Sequence, residues 1–521
     1  MKLFKHQESY LIKVIDELNK GTSSLLCQSA TGWGKTIAAT FLSEHMRHRA
    51  GFSSLFFVHK REIFMQTVEK FLMKGSSPLK FCAGAQEESD AYGLIAGSGR
   101  MDLIASPENS NATLIAMIPT AIKRNGGDFQ KLVEHFFPQN TKRIFVQIDE
   151  AHHAASRSWS AWFKKSQDAG AIIVGWTATP ERLSGEPLSK KGGGLFDELM
   201  MGDPLLSLVE RGILCPVRII CPPSHVKHEE NLDESKAEKE RREKKDAIKL
   251  IGDMIPSYEK YLGDAKMTLG FGVSISHCEM MAEEFNKAGI ASQAVHGKMP
   301  STDRKYIIES FKAGEIRHLL SCDLIGEGVD FPAVDGIQDA RPTGSRTIFF
   351  QHIGRGMRMK AGKKETIILD HAGNTLDNSH GHPYVPVKWN FHGKVKKGGD
   401  EKATNLEELE EEEKIDKSIF CINPNCHTVN PPNTTHCISC GAILNPAAVD
   451  VDTNIDLVEH SWHNGKQNGY SQAMDEAWKV KNVDEIADIA KKYDMSEDWL
   501  ENVIAMFKSM GDSHLFNWRN K

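Results

Sequence analysis

The stretch SSLLCQSATGWGKT, residues 23–36, decides the fold. It starts as a short apolar run, passes through a turn with two glycines and leads into the helix-like segment IAATFLSEHM, residues 37–46. This order is typical of a phosphate-binding loop, because the N–H groups of the turn and the helix N-terminus face one anion. Ser29 stands where the general pattern has its first glycine, so the motif alone leaves an incidental Gly-rich turn open.

The residue types in this loop suit phosphate chemistry. Gly32 and Gly34 let the backbone close around phosphate oxygens. Lys35 offers a positive charge to the β- and γ-phosphates, and Thr36 offers a hydroxyl to Mg²⁺. Trp33 is expected to rest against the nucleotide or to cover it. The residues of the loop predicted to bind nucleotide are Thr31, Gly32, Trp33, Gly34, Lys35 and Thr36.

Two adjacent carboxylates follow a second apolar run. RIFVQID, residues 143–149, ends in Asp149 and continues with Glu150, Ala151 and His152. Parallel α/β sheets collect ligands at the carboxyl ends of their strands, so this is the expected place for a Mg²⁺ site. Asp149 is suited to hold Mg²⁺ through water, and Glu150 to orient and deprotonate the attacking water. The alternative is a solvated acidic strand end.

Strand-like and helix-like segments alternate in two series, up to about residue 215 and again from about residue 267 to residue 373. This predicts an α/β protein with two lobes, each a parallel sheet flanked by helices. The predicted regions are a first lobe at 1–220, a charged linker or helix at 221–250, a second lobe at 251–380, a basic then acidic linker at 381–418, a cysteine ribbon at 419–445 and a helical region at 446–521.

Composition narrows the class of protein. The 521 residues are 40% hydrophobic and 26% charged, which excludes collagen-like, wholly disordered and disulfide-framework proteins. The N-terminus lacks the apolar region of a signal peptide, and no segment approaches the roughly 18 apolar residues of a membrane span. We therefore expect a soluble cytoplasmic protein, in a bacterium or a virus-infected host. The net charge of −6 does not by itself indicate a nucleic-acid partner.

Residues 1–375 resemble the superfamily 2 helicases and translocases of the DEAH-box type, in which two RecA-like lobes clamp ATP. In the first lobe Gln7 resembles the adenine-reading Q motif, and residues 29–36 resemble motif I. Residues 149–152 resemble motif II, with His152 and the pair Thr177 and Thr179 of motif III coupling hydrolysis to strand movement. The residues that resemble motif Ia, which touches the nucleic-acid backbone, are His59, Lys60, Arg61 and Gln66.

The second lobe continues the series of motifs. Residues 271–274 resemble motif IV, and Gly297 belongs to the turn before motif V. In motif V, residues 326–330, the resemblance assigns Gly328 and Asp330 to the nucleotide; in motif VI, residues 351–358, it assigns Gln351 to the nucleotide and Arg355 and Arg358 to the transition state. A spacing of three would place both arginines on one helix face. A surface arginine pair is the alternative.

The RadD-like branch of DNA-repair helicases is a closer resemblance. It rests on the core without a large insertion, the block ILDHAGN at residues 368–374, and a cysteine cluster after the core. It implies DNA-linked ATPase activity, a role in replication, recombination or repair, and contact with a single-strand-binding protein or other replication and recombination proteins. The chain departs from that branch by having one four-cysteine site and an unmatched C-terminal region.

Four cysteines have the spacing of a zinc site. Cys421 and Cys426 form one pair, and Cys437 and Cys440 form the second. Tetrahedral Zn²⁺ suits such thiolate pairs, and a closed four-cysteine shell is structural because no position is left for water. His427 or His436 replacing one cysteine is the alternative.

A basic aromatic stretch precedes this cluster. Lys388, Trp389 and Lys394 belong to KWNFHGKVKK, residues 388–397, where cations and rings together can bind phosphates and stack bases. The alternative is a strand with a basic face packed on the second lobe. The acidic run 407–413 is a solvated linker, or less simply a nucleic-acid mimic.

The sequence therefore predicts an ATP-driven helicase or translocase that uses Mg²⁺, carries structural Zn²⁺ and acts on single-stranded or branched DNA. One alternative is an RNA helicase, or a double-strand translocase that remodels branches. Another, of a different class, is a zinc-ribbon adaptor whose ATPase core switches the recruitment of a partner to DNA. The intact Glu150, Arg355 and Arg358 argue against a pure switch.

Overall fold

The structure is a computed structural model. It describes residues 2–74, 78–182, 185–222, 254–322, 333–376, 380–385 and 387–393, with the shorter segments 419–420, 429–430, 458–460, 472–474, 476–477, 479–480 and 483–509. The chain divides into two compact units, each built on a seven-stranded sheet. The two α/β lobes predicted from the alternating sequence pattern are confirmed.

The first unit contains the chain up to Pro204 and a separate segment at 387–393. Its sheet is parallel throughout and has the strand order β3-β4-β2-β5-β6-β1-β7. The strands are β1 Ser24–Gln28, β2 Ser53–Val58, β3 Leu79–Cys82, β4 Thr113–Met117, β5 Ile144–Asp149, β6 Ile172–Thr177 and β7 Glu198–Met200. The helices are α1 Lys5–Asn19, α2 Lys35–His48, α3 Arg61–Lys74, α4 Ala85–Gly97, α5 Ile118–Arg124, α6 Phe129–Phe136 and α7 Arg157–Asp168.

The central strands of this sheet are apolar along their length because helices cover both faces. All residues of β1, β2 and β5 are buried. Gln28 lies opposite Thr177, and Asp149 lies opposite Trp176. The ends of β1, β5 and β6 therefore bring three distant sequence segments to one edge.

A buried polar contact fixes α2 on this sheet. The Gln147 side chain donates to the Ala39 carbonyl at 3.0 Å and to the Ser43 hydroxyl at 2.6 Å, and it accepts from the Trp176 indole at 2.8 Å. A buried amide is costly unless it is satisfied, so this network favours a single position for α2. The helix that follows the phosphate loop is thereby tied to the strand that carries Asp149.

The segment 387–393 lies far along the chain but packs in the first unit. Phe391 is 6% exposed inside the core of this unit. Its carbonyl accepts hydrogen bonds from the N–H groups of Leu188 and Ser189 at 3.0 and 3.1 Å. The N–H of Asn390 donates to Glu181 at 3.3 Å. This segment was expected in a linker, or as a strand on the second lobe, and its packing partner is instead the first unit.

The second unit begins at Leu205. Its sheet has the order β10-β11-β9-β12-β13-β8-β16, parallel except for β16, which runs antiparallel to β8. The strands are β8 Val217–Cys221, β9 Thr268–Phe271, β10 Ser292–Ala294, β11 His318–Ser321, β12 Gly336–Asp339, β13 Thr366–Asp370 and β16 Val458–His460; β14 Ile419–Phe420 and β15 Val429–Asn430 pair separately. The helices are α8 Leu205–Glu210, α9 (254–262), α10 Ile275–Lys287, α11 Ser301–Ala313, α12 Arg346–Gly356, α13 Val483–Lys492 and α14 Glu497–Ser509.

The last two helices pack on the second unit. Trp499 is buried in their small core, against which Met359 also packs. Asp498 forms an ion pair with Arg211 at 2.9 Å, and Asn502 donates to the Arg211 carbonyl at 2.7 Å. A Cβ at Gly212 would come within 3.1 Å of the Trp499 ring, so a glycine allows this close approach.

Some expected boundaries are displaced. The first unit ends at Pro204 rather than at 220, because β8 joins the second sheet. The region 446–521 is not wholly helical, since Val458–His460 forms the edge strand β16. The predicted linker at 221–250 and the acidic run 407–413 lie outside the described residues, apart from the end of β8. Among the described residues, no helix is long and apolar enough to cross a membrane.

We expect Phe391→Ala to destabilise the first unit by about 3 kcal/mol, the usual cost of deleting a buried phenyl ring. The measurement is urea unfolding followed by the fluorescence of the tryptophans. Ile12→Ala is the matched control, since Ile12 is 54% exposed on α1 in the same unit. Equal unfolding midpoints for the two variants would show that the segment 387–393 does not belong to this core.

Candidate nucleotide and hydrolysis site

The phosphate loop has a backbone that only glycines tolerate. Gly34 is the N-cap of α2 with φ of +95°, and Gly32 has φ of +87°. A Cβ at Gly34 would lie 2.5 Å from the Gln7 side-chain nitrogen. Both glycines are therefore required by the left-handed backbone, and Gly34 also by a close approach. The two glycines with positive φ therefore lie in the loop where the sequence predicts a phosphate cradle, at the N-terminus of α2.

Gln7 connects α1 to this loop. Its amide donates to the Trp33 carbonyl at 3.0 Å and accepts from the Phe4 N–H at 3.1 Å. Trp33 is 3% exposed, with its ring packed edge-on against His6 at 5.4 Å and Tyr10 at 5.3 Å between centroids. The indole is thus part of the packing that joins α1 to the loop.

Lys35 lies at the first position of α2 and points back into the loop. Its ammonium donates to the Ser29 carbonyl at 3.1 Å and the Ala30 carbonyl at 3.4 Å. The Ser29 hydroxyl is buried and makes no hydrogen bond within the described chain. Thr31 and Thr36 are half-buried. The Lys35 ammonium, the N-terminus of α2 and the Ser29 hydroxyl thus belong to one loop, which suits phosphate binding.

Asp149 carries the carboxylate at the end of β5. Burial, and then the neighbouring Glu150, raise its pKa to about 7, and Lys35 opposes both. One carboxylate oxygen accepts from the Glu150 N–H at 3.0 Å. Buried carboxylate and hydroxyl oxygens are the ligands that Mg²⁺ prefers, so these residues fit that ion. With Mg²⁺ bound, its charge would stabilise the ionised Asp149.

A series of polar contacts leads from this carboxylate pair to the end of β6. Glu150 adopts the left-handed conformation at φ of +46°, which is strained for a residue with a Cβ and costs of order 1 kcal/mol. Its carboxylate lies 3.5 Å from the His152 Nδ1, which is 2.9 Å from the Thr177 hydroxyl. The Thr177 hydroxyl also accepts from the Thr179 N–H at 3.1 Å. The residues predicted to couple motifs II and III are therefore in contact.

The predicted nucleic-acid residues of the first unit are spread over the start of α3. The His59 ring lies 4.7 Å from the His153 ring, which places it beside the turn after Asp149. Arg61 forms ion pairs with Glu87 at 3.3 Å and Asp90 at 2.9 Å on α4. His59, Lys60 and Gln66 are half-buried. In the segment 387–393, Lys388 is exposed and Trp389 is half-buried.

Motif VI lies on α12 in the second unit. Gln351 is 7% exposed, and Arg355 is half-buried in the last turn. Arg358 follows the end of α12 at Gly356, so the expected placement of both arginines on one helix face is wrong. The Lys363 ammonium donates to the Gly356 and Arg358 carbonyls, and the Thr366 hydroxyl donates to Gly356. Buried Lys363 thus defines the turn that carries Arg358.

Several predicted residues lie outside the described chain. These are Gly328, Asp330, Lys394, Cys421, Cys426, Cys437 and Cys440. Gly297 is described and exposed. The described residues contain no group of three or more His, Cys, Asp or Glu side chains arranged for a metal ion.

A buried polar chain that sequence reasoning did not identify crosses the second sheet. His318 contacts Thr268 at 2.8 Å and Gln338 at 3.0 Å, and Gln338 contacts His371 at 3.2 Å. Burial lowers the pKa of His318 to about 3 and that of His371 to about 4, so both rings are neutral. Burial, and then the neighbouring Asp339, raise the pKa of Asp370 to about 6. Of these residues, only Asp370 and His371 lie in a stretch that the sequence singled out, the block at residues 368–374.

The comparisons with known proteins agree with this geometry. Residues 1–182 match the family model described as the Type III restriction enzyme res subunit, and residues 253–360 match the Helicase conserved C-terminal domain. The chain is 27% identical over 386 residues to "Putative ATP-dependent helicase IRC3" of Saccharomyces cerevisiae, covering 71% of this chain and 51% of that protein. It is 24% identical over 425 residues to the "51.5 kDa protein" of Lactococcus phage (isolate 7-9), covering 80% and 77%. The chain thus spans about half the length of the yeast relative.

Two solved structures share the fold at a TM-score of 0.50. One is the ATP-dependent Type ISP restriction-modification enzyme LlaBIII bound to DNA, 16% identical, covering 71% of this chain and 28% of that one. The other is a fragment of an HsdR subunit of a type I restriction enzyme from Vibrio vulnificus YJ016, 18% identical, covering 75% and 67%.

The two parallel sheets and the two matched domains fit tandem RecA-like lobes. The chain is similar to proteins named as ATP-dependent helicases and matches a helicase C-terminal domain.

Acidification should destabilise the second unit through its buried histidines. His318 and His371 stay neutral in the folded chain down to pKa values of about 3 and about 4, whereas the unfolded rings protonate near pH 6.5. Their contribution is complete above about pH 6.5 and is lost as pH falls toward 4, by roughly 2 kcal/mol for each ring at pH 5. The raised pKa of Asp370 has the opposite effect on the free energy of unfolding and restores about 1 kcal/mol at pH 5.

The measurement is urea unfolding at pH 5, 6 and 7. His318→Gln should flatten the pH dependence, because an amide has no proton to gain. His135→Gln, at an exposed position, is the control and should leave the wild-type slope. Parallel slopes for both variants would contradict the assignment.

Proposed function

We propose that this enzyme is a DNA helicase or translocase of the DEAH-box type, related to the RadD-like branch, that acts on single-stranded or branched DNA in replication, recombination or repair. The motif order supports this, as does the described geometry of the first unit. The LlaBIII structure, which shares the fold, is a complex with DNA. A single-strand-binding protein is the partner that the RadD-like resemblance implies.

The contact chain from Glu150 through His152 to Thr177 carries the proposal. A group that only binds ATP needs no contact between its hydrolytic carboxylate and a distant strand end, whereas a motor must transmit the change. His152 is 4% exposed and touches both Glu150 and Thr177, so displacement of the carboxylate is felt at the end of β6. This feature favours a motor over the adaptor.

The proposed roles in hydrolysis follow from the placement of each residue. Gln7 reads the adenine, and the loop from Thr31 to Thr36 binds the phosphates, with Lys35 neutralising the β- and γ-oxygens. Asp149 and Thr36 would hold Mg²⁺, which when bound adds positive charge at the phosphates. Glu150 orients the attacking water and accepts its proton.

The resemblance assigns the remaining proposed roles in hydrolysis to residues of motifs V and VI. Arg355 and Arg358 stabilise the charge on the transferred phosphoryl group, and Gln351, Gly328 and Asp330 line the nucleotide. Positive charge that meets the transition state more closely than the ground state accelerates hydrolysis.

The proposed DNA-contacting residues come from both units. Half-buried His59, Lys60 and Gln66 lie at the start of α3, where backbone contacts with phosphates are geometrically natural. Arg61 joins them only if DNA competes with its two carboxylate partners, Glu87 and Asp90. The other proposed contacts are Gly297, Lys388, Trp389 and Lys394.

A structural Zn²⁺ bound by Cys421, Cys426, Cys437 and Cys440 is part of the proposal. The antiparallel strands β14 and β15 support it, because the chain that joins them contains the first cysteine pair. A short hairpin is the usual setting of such a pair. His427 and His436 remain the alternative ligands.

We expect Glu150→Gln to lower the kcat of ATP hydrolysis at least about 100-fold, the usual contribution of general base catalysis. The measurement is phosphate release by the purified full chain, alone and with single-stranded DNA, branched duplex DNA or RNA. Glu134→Gln, an exposed glutamate on α6, is the matched control and should behave as wild type.

The nucleic acid that stimulates turnover decides between the motors. Strong stimulation by single-stranded or branched DNA supports the proposal, and stimulation by RNA alone favours the RNA helicase. ATP binding without turnover on any nucleic acid would favour the adaptor and reject the motor.

We expect the purified chain to hold about one Zn²⁺ per molecule, measured by elemental analysis. Cys437→Ser should lose most of that metal, since three thiolates no longer close the shell, whereas Cys82→Ser, at a buried free cysteine of the first sheet, should retain it. Full zinc content in Cys437→Ser would point to His436 as the fourth ligand.

A further inference from the structure

His352 lies on α12 three residues before Arg355, and its ring is held by contacts with Phe271 and Asp339. Its ring stacks on Phe271 with centroids 3.6 Å apart and planes 5° from parallel. Its Nδ1 lies 3.2 Å from a carboxylate oxygen of Asp339. His352 is 3% exposed and Asp339 1% exposed. A ring held by stacking and by a buried hydrogen bond has one orientation.

The carboxylate of Asp339 is held in turn by Asn374. The Asn374 amide donates to the same Asp339 oxygen at 3.3 Å and to the Arg341 carbonyl at 2.9 Å. Its carbonyl accepts from the Thr343 N–H at 3.0 Å. Asn374 therefore connects the end of β12, the loop that leads into α12, and the carboxylate that orients His352.

Asp370 fixes Asn374 from the other side. Its two carboxylate oxygens accept from the N–H groups of Asn374 at 3.0 Å and Thr375 at 2.7 Å. The segment after β13 is thereby wrapped around a buried carboxylate. The block at residues 368–374 has no role in the proposed nucleotide chemistry. It is connected to α12 because Asn374 contacts Asp339, and Asp339 contacts His352.

The contacts of His352 determine how α12 presents Arg355 of motif VI. Residues i and i+3 of a helix lie on neighbouring positions of one face, so fixing the His352 ring fixes the rotation of α12 at Arg355. The C-terminal end of the same helix is fixed by Lys363 and Thr366, which donate to the Gly356 carbonyl. The Arg355 guanidinium therefore belongs to a helix whose rotation and C-terminal end are both fixed by these contacts.

We propose that Asn374 is a positioning residue for Arg355, acting through Asp339 and His352. This inference rests on the proposed function, in which Arg355 stabilises the transition state. Asn374 lies outside motifs I to VI and touches no reacting atom. Its effect is on kcat, because a displaced guanidinium weakens contacts made in the transition state and leaves ground-state nucleotide binding nearly unchanged.

The test compares ATP hydrolysis by the full chain carrying Asn374→Ala or Asn286→Ala. Asn286 is the matched control, since its side chain also makes paired hydrogen bonds to backbone in the second unit, to Ser292 at 2.9 Å each. Asn374→Ala should lower kcat about 10- to 100-fold, the scale of a misplaced catalytic group, with the KM for ATP changed less than about 3-fold. Asn286→Ala should keep wild-type kcat and KM.

A second pair of variants separates positioning from loss of folding. His352→Asn retains a side-chain N–H near the position of Nδ1, whereas His352→Ala retains none. We expect His352→Asn to recover most of the kcat that His352→Ala loses, at equal unfolding midpoints. Equal kcat for these two variants, or for Asn374→Ala and Asn286→Ala, would overturn the inference. Absence of ATP hydrolysis in the wild type would instead reject the proposed function.

Discussion

The burial of the Asp149 carboxylate beside Lys35 is the interaction on which the rest of the site depends. Burial alone favours the protonated acid, and the raised pKa of about 7 records that cost. The ammonium of Lys35 opposes this effect by favouring the ionised carboxylate. Lys35 is placed there because α2 begins directly after Gly34 and is held on the sheet by Gln147. A bound metal ion would add positive charge beside Asp149 and further favour its ionised form.

The parallel sheet determines which parts of the site come into contact. Strands β1, β5 and β6 end at the same edge, and each end carries part of the site. Glu150, His152 and Thr177 lie in contact in series, from the carboxylate at the end of β5 to the end of β6. The second unit shows the same principle with different residues. There buried polar contacts around Asp339 determine the rotation of α12.

Much of this architecture could be predicted from the sequence. The strands that carry Gln28, Val58, Asp149 and Thr177 are continuous apolar runs, and the doubly covered sheet requires that pattern. The glycine requirement at Gly34 follows from the loop motif. By contrast, β8 follows the strands of the first sheet in sequence but pairs with β13 in the second sheet, so the expected boundary between the units was displaced.

What the sequence determined by itself was the chemistry, because phosphate binding and hydrolysis need fixed residue types at fixed spacing. The tertiary structure alone decided which distant residues support that chemistry. Phe391 enters the core of the first unit, although its neighbours suggested a basic nucleic-acid segment. Arg358 leaves the helix that the spacing of three implied. Asp339 lies in no motif, and the block that contains Asn374 gave no role for that residue, since the contact between them joins two strand ends that only folding brings together.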